Sequence, residues 1–111
     1  MRTWPTAALA IAIAVAAVPV RAEDGKSVYE ATCVNCHGPD GHADTKKGKA
    51  LKSPDFSTVA ELKGTPDEVA AFVTKSVREK KKHKQISPKV SDEQLKLVAE
   101  YVRLLATGSA P

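Results

Sequence analysis

Apolar side chains recur every three or four residues in two stretches of the second half of the chain, which predicts two amphipathic helices. The apolar face of the first comprises four residues: Val69, Phe72, Val73 and Val77. Just before them, Thr65 can cap a helix, Pro66 suits its first position and Glu68 completes a capping box. We therefore expect a helix to begin at Pro66 and to pack one side against a core.

The second amphipathic helix closes the chain. Its apolar face comprises Leu95, Val98, Val102 and Leu105. Ser91-Asp92-Glu93-Gln94 forms another capping box at its start, and Gly108 stands where the pattern stops.

The first half of the chain predicts one further main helix and one short one. The main helix begins at Asp24 or Gly25, carries the polar and apolar residues up to position 37, and ends at Gly38-Pro39. Residues 38–53 contain glycines, lysines and few apolar side chains, which is typical of a loop. Residues 54–63 hold Phe56, Val59 and Leu62 at three-residue spacing and predict a short helix. No repeat or second domain is visible.

Residues 1–22 have the pattern of an export signal. Arg2 provides a positive start, residues 7–18 are apolar, and Val20-Arg21-Ala22 suits cleavage. A retained membrane anchor needs about 20 apolar residues, whereas the segment 6–20 is only 15 residues long and is interrupted by Pro19. We therefore expect a signal peptide over 1–22, a single domain over 23–111, a periplasmic or otherwise exported protein, and no stable membrane insertion after cleavage.

The net charge of the chain says little about its partners, but one local cluster of lysines is informative. The chain has 17 basic and 13 acidic residues, and loss of Arg2 and Arg21 with the signal leaves 15 against 13, a net charge of +2. Four lysines nevertheless crowd into five positions: Lys80, Lys81, Lys82 and Lys84. Such a cluster creates a directional field at one surface.

The candidate chemistry lies in Cys33-Val34-Asn35-Cys36-His37. Two thiols separated by two residues and followed by an imidazole match the attachment signature of c-type haem. On a helix with about 3.6 residues per turn, Cys33 and Cys36 share a face and can both bond one porphyrin, while His37 can bind its iron as the proximal ligand. A porphyrin would also fill a core that has only four aromatic side chains after residue 22.

Three other interpretations of the two cysteines stay open. A thioredoxin-like redox pair would need a strand–helix–strand context, which the pattern lacks. A zinc site would need further ligands, and the chain offers His37, His42 and His83. A disulfide is common in exported proteins, but a two-residue gap makes a strained loop.

With these motifs in view, the chain resembles the small class I c-type cytochromes of the bacterial periplasmic monohaem type. The resemblance runs from Asp24 to about Leu105 and includes Gly25-x-x-x-Tyr29, Cys33-x-x-Cys36-His37-Gly38 and the last helix with Tyr101. It implies an all-α, class I cytochrome c-like fold, in which three main helices and a short helix wrap around one covalent haem c. It also implies that the first and last helices cross at Gly25 and Tyr101.

The chain departs from this family at the distal side of the iron. Family members typically present a methionine about eight residues before the serine cap of the last helix, but the only methionine here is Met1. The matching position is His83, which makes a bis-histidine haem the leading expectation. Ligation by Lys82 or Lys84 would require a lysine to lose its proton, and a water-ligated site is the remaining alternative. His42 lies too near His37 along the chain to reach the opposite face.

The function expected from these residues is a periplasmic electron carrier with a lower potential than its His/Met relatives, because methionine ligation raises the potential. The lysine cluster would then surround the exposed edge of the haem and steer a redox partner with an acidic docking surface. Nucleic acid is not an expected partner. No catalytic residue is discernible, since Asp40, Asp44 and Asp55 suit loop and cap positions. The rivals are a haem-based small-ligand sensor or peroxidase-like protein with an open distal site, and a secreted helical binding module without haem.

Overall fold

The computed structural model of this protein describes Thr3 and residues 22–111, and these residues contain helices and no strands. The helices are α1 (Ala22–Thr32), α2 (Val34–His37), α3 (Lys46–Ala50), α4 (Pro66–Glu79) and α5 (Asp92–Ala106). Short 3₁₀ helices span Phe56–Thr58, Ala60–Lys63, Lys81–His83 and Ser87–Lys89. The all-α prediction is therefore confirmed. Apart from Thr3 and Ala22, the predicted signal peptide lies outside the described residues.

Local capping explains where α4 and α5 begin. The Thr65 hydroxyl accepts a hydrogen bond from the Glu68 backbone amide at 3.3 Å, which is one of the two hydrogen bonds of the expected capping box. At α5 the box is complete, because Ser91 and Gln94 each accept a hydrogen bond from the other's amide. At its far end α5 ends at Ala106, and Gly108 follows two residues later with a φ of 72°, in the left-handed region. These starts and stops were readable from the sequence because caps are local interactions.

The first predicted helix is divided in two. Thr32 ends α1 and Cys33 occupies a turn before α2 begins at Val34. The Thr32 hydroxyl bonds back to the Val28 carbonyl at 2.7 Å, an interaction that bends helices. A further difference is α3, which lies inside the expected loop and is capped by the Thr45 hydroxyl.

The core is formed where α5 packs against α1 and α4. From α4 it receives Val69, Val73 and Val77, and from α5 it receives Leu95, Val98, Ala99, Tyr101, Val102 and Ala106. Phe72 and Leu105, which the pattern also assigned to the core, are only partly buried at its edge. Within the described residues, every helix is too short or too polar to cross a bilayer.

The crossing of α1 and α5 depends on Gly25. A Cβ atom at this position would lie 2.1 Å from the Leu97 carbonyl oxygen and 3.2 Å from the Tyr101 Cβ. Because only glycine lacks that atom, the two backbones can touch here. The expected crossing at Gly25 and Tyr101 is thus present, and Cys33, which directly follows α1, packs against the core.

Candidate functional site

The turn after α2 is held in place through its carbonyl groups. The Cys36 carbonyl accepts a hydrogen bond from the Thr45 hydroxyl at 2.9 Å, and the same hydroxyl accepts from the Gly48 amide at 2.9 Å. The Gly38 carbonyl accepts from the hydroxyl of Tyr29, a fully buried side chain. Two bonds therefore tie the motif and Gly38 to Thr45 and to α1, and the third anchors Thr45 to α3, so the residues of the motif have little freedom to move.

Cys33 is a free thiol in the short break between α1 and α2, and Cys36 is a free thiol within α2. Cys33 Sγ lies 3.3 Å from the Thr32 hydroxyl. Burial raises the pKa of the Cys33 thiol, against a smaller lowering effect of the Thr32 hydrogen bond. The two cysteines form no disulfide, and the described residues contain no cluster of three metal-ligating side chains. The disulfide and zinc interpretations thus find no support in this geometry.

His37 lies in a pocket between aromatic rings. Its ring stacks on Phe56 with centroids 4.6 Å apart, and it faces His83. Burial, and secondarily the charge of His83, lower the pKa of His37 to about 4, so the imidazole is neutral at neutral pH. Its Nδ1 atom is buried and has no hydrogen-bond partner among the described residues. A buried nitrogen left unsatisfied costs about 1–3 kcal/mol, which suits a side chain whose role is to bind a ligand.

His83 lies opposite His37, with the ring centroids 6.2 Å apart. Its Nδ1 atom is 2.8 Å from the Ser76 carbonyl, and since a carbonyl only accepts, Nδ1 must donate. In the neutral ring this leaves the lone pair on Nε2, where a metal can bind. A metal–imidazole bond is about 2 Å long and the ring centre lies about 1 Å behind the nitrogen, so two imidazoles on one ion have centres about 6 Å apart. The spacing of His37 and His83 therefore fits one metal ion between them.

The described residues thus bring two thiols, a neutral buried imidazole and a second, facing imidazole into one site. Comparison with protein families found that residues 20–102 match the family described as cytochrome c oxidase, cbb3-type, subunit III. Comparisons with curated proteins and with solved structures found no match.

The chain belongs to this family of c-type cytochrome domains. As such a domain it binds haem c and serves electron transfer with redox partners, and the residues of the site fit that cofactor. The resemblance drawn from the sequence is therefore confirmed at the level of a small c-type cytochrome.

His42 of the cytochrome is engaged by an aspartate. It is half exposed and its Nδ1 lies 3.0 Å from the Asp55 carboxylate. Asp55 also accepts from the amide and hydroxyl of Ser57, and these bonds, together with that of His42, lower the pKa of Asp55 to about 2. Asp40 Oδ1 accepts from the His42 amide at 3.0 Å, and Asp44 pairs with Lys49 at 2.8 Å. The three aspartates thus occupy the loop and cap positions expected of them.

The four clustered lysines of the cytochrome are all exposed and follow directly on α4. Lys82 reaches across to donate to the Leu51 carbonyl at 2.5 Å. Lys80, Lys81 and Lys84 line an open basin of about 370 Å³. Along the described part of the chain these four ammonium groups form no ion pair.

Sequence reasoning missed three residues that support the site: Thr45, Phe56 and Ser76. Phe56 was assigned to a short helix, but its stacking on His37 was not foreseen, because it depends on how residues 54–63 fold back over the motif. Thr45 carried a signal, since threonine is a common cap residue. Ser76 acts through its backbone carbonyl, for which a sequence contains no signal.

Proposed function

We propose that the cytochrome is an exported electron carrier with one haem c, attached covalently through Cys33 and Cys36 and ligated by His37 and His83. The observation that carries this proposal is the 6.2 Å spacing of the two imidazole rings. Support also comes from the neutral state of His37 and from the hydrogen bond between His83 Nδ1 and the Ser76 carbonyl, which orients the His83 ring. Export follows from the predicted signal peptide at residues 1–22, which makes the periplasm the expected compartment.

In this proposal the protein performs few chemical steps of its own. The bound haem would supply one reversible electron at its iron. Cys33 and Cys36 keep the cofactor from leaving, while the stacked Phe56 and the tied motif hold the His37 ring in one orientation. The Ser76 carbonyl does the same for His83. Because neither imidazole has to turn, little reorganisation accompanies electron transfer, and a second imidazole in place of methionine lowers the potential.

Replacing His83 with alanine tests the distal ligation. We expect the wild-type cytochrome to have a low-spin visible spectrum when reduced, with a sharp α-band. His83→Ala should show high-spin bands and a changed midpoint potential. His42→Ala is the matched control, because His42 is bound to Asp55 and away from the site; its spectrum should equal that of the wild type. An unchanged low-spin spectrum in His83→Ala would refute the assignment, and a high-spin wild type would favour a ligand sensor or a peroxidase-like protein.

The lysine cluster is proposed as the docking surface for an acidic redox partner. Lys82 and Lys84 adjoin His83 in the chain, and Lys80 and Lys81 precede it, so this positive charge is carried by the same loop as the proposed distal ligand. Opposite charges steer encounter and raise association rates, an effect that salt screens.

Charge reversal tests this docking surface with an anionic acceptor, hexacyanoferrate(III). The double variant Lys81→Glu/Lys84→Glu should react roughly tenfold more slowly at low salt, with a weaker dependence on ionic strength. Lys96→Glu changes an exposed lysine on α5 and should have a small effect. Equal slowing per charge in both variants, measured by stopped-flow absorption, would show that only net charge matters and would contradict a directed surface.

A further inference from the structure

Arg78 makes an unusually large set of contacts for a partly exposed side chain. It lies in the last turn of α4, and its Nη2 atom donates to the Val90 carbonyl at 2.7 Å and to Asp92 Oδ1 at 2.9 Å. Its Nη1 atom donates to the Ser87 carbonyl and, at 3.1 Å, to the Ser87 hydroxyl. We refer to Arg78 with Ser87, Val90 and Asp92 as the Arg78 clasp.

The clasp joins the two ends of one loop. This loop, residues 80–91, starts two positions after Arg78 and leads into α5 at Asp92. Ser87 and Val90 lie in its second half and Asp92 is the first residue of α5, so the guanidinium holds the end of the loop against its beginning. Charged groups make the stronger hydrogen bonds, and a planar guanidinium can serve several acceptors at once.

Little else holds this loop. Val90 is its one buried residue, and Ile86 packs at the edge of the core. Its other tertiary contacts include the bond from Lys82 to the Leu51 carbonyl and the bond of His83 to Ser76. A segment with so few buried apolar contacts opens easily unless polar contacts restrain it.

His83 lies in the middle of this loop. Its ring is directed by the Ser76 carbonyl, which belongs to α4 and lies two residues before Arg78. The position of His83 opposite His37 therefore requires the loop to stay folded against the end of α4. The clasp supplies that restraint, and α5 does not need it, because Ser91 and Gln94 cap that helix independently.

We infer that Arg78 is a positioning residue that keeps His83 in place at the distal side of the haem iron. This inference rests on the proposed ligation by His37 and His83. Without the clasp the loop opens more often, and an added ligand such as carbon monoxide can replace His83: one bond to iron breaks, another forms, and no electron is exchanged. Arg78 thus controls how readily an added ligand can replace His83 at the distal side of this cytochrome.

Carbon monoxide binding to the reduced cytochrome tests the role of Arg78. Arg78→Ala should bind carbon monoxide roughly tenfold faster than the wild type, as expected when one charge-assisted set of contacts is lost. Arg78→Lys should fall between the two, since an ammonium can restore only part of the fork geometry. Arg103→Ala is the matched control, because the Arg103 guanidinium pairs at 2.6 Å with Glu100 on the same helix, α5.

The variant His83→Ala provides the rate of a fully open site. If His83→Ala binds carbon monoxide rapidly but Arg78→Ala binds it at the wild-type rate, the inference about Arg78 is wrong and the ligation by His83 stands. If His83→Ala is no faster than the wild type, the proposed ligation itself fails. Equal acceleration in Arg78→Ala and Arg103→Ala would mean general destabilisation, which urea unfolding of both variants would reveal, and would also overturn the inference.

Discussion

Gly25→Ala is expected to lower the free energy of unfolding of the cytochrome by about 3 kcal/mol, at the upper end of overpacking costs. The added Cβ would lie 2.1 Å from the Leu97 carbonyl oxygen, and that atom belongs to the backbone of α5. Neither helix can yield by a side-chain rotation, so α1 and α5 must move apart. Alanine favours an isolated helix over glycine by about 1 kcal/mol, and the clash has to exceed that gain.

Urea unfolding of the haem-loaded protein, followed by helical circular dichroism, measures this loss. Gly64→Ala is the matched control. A Cβ added at Gly64 would lie 2.8 Å from the carboxylate oxygen of Glu68, a flexible side chain that can move aside, and the φ of −75° at Gly64 suits any residue. Its stability should change little. A Gly25→Ala variant as stable as the wild type would show that α1 and α5 cross elsewhere.

Phe56→Ala is expected to cost about 3–5 kcal/mol, the usual range for removing a buried phenyl ring. Phe56 is 7% exposed, stacks on His37 and packs edge-on against Tyr29 with ring centroids 6.4 Å apart. The Gly41 backbone also lies against its ring, since a Cβ there would be 2.6 Å from it. Its loss leaves a cavity and also frees the His37 ring to turn.

Phe72→Ala is the control that shows whether the cavity and the freed His37 ring are specific to Phe56 or follow from the loss of any phenyl ring. Phe72 lies on α4 and is only partly buried, so its removal should cost clearly less and leave the haem spectrum unchanged. Phe56→Ala should lower the urea midpoint and broaden the visible bands, because the proximal imidazole is less restrained. Equal losses of stability in the two variants would contradict the supporting role assigned to Phe56.

The two capped helices show how far local pattern reaches. Thr65 and Ser91 lie within three residues of the amides that they cap, so the starts of α4 and α5 could be read directly. The break in the first helix at Cys33 could not be read from the sequence. It depends on the hydrogen bond from the Thr32 hydroxyl to the Val28 carbonyl, which competes with a continuous helix. The helix α3 was missed for a similar reason: its glycine and lysines resemble a loop, and it is anchored by the Cys36 carbonyl through Thr45.

The sequence by itself determined the chemistry of this cytochrome: the spacing of Cys33, Cys36 and His37, the caps, and the lack of a methionine after Met1. Those features are local, so the order of residues suffices to reveal them. Only the tertiary structure decided that His83 stands 6.2 Å from His37 and that Arg78 holds its loop. Spacing before Ser91 made His83 a candidate, but its distance from His37 and the contacts of Arg78 depend on how α4, α5 and the loop between them pack.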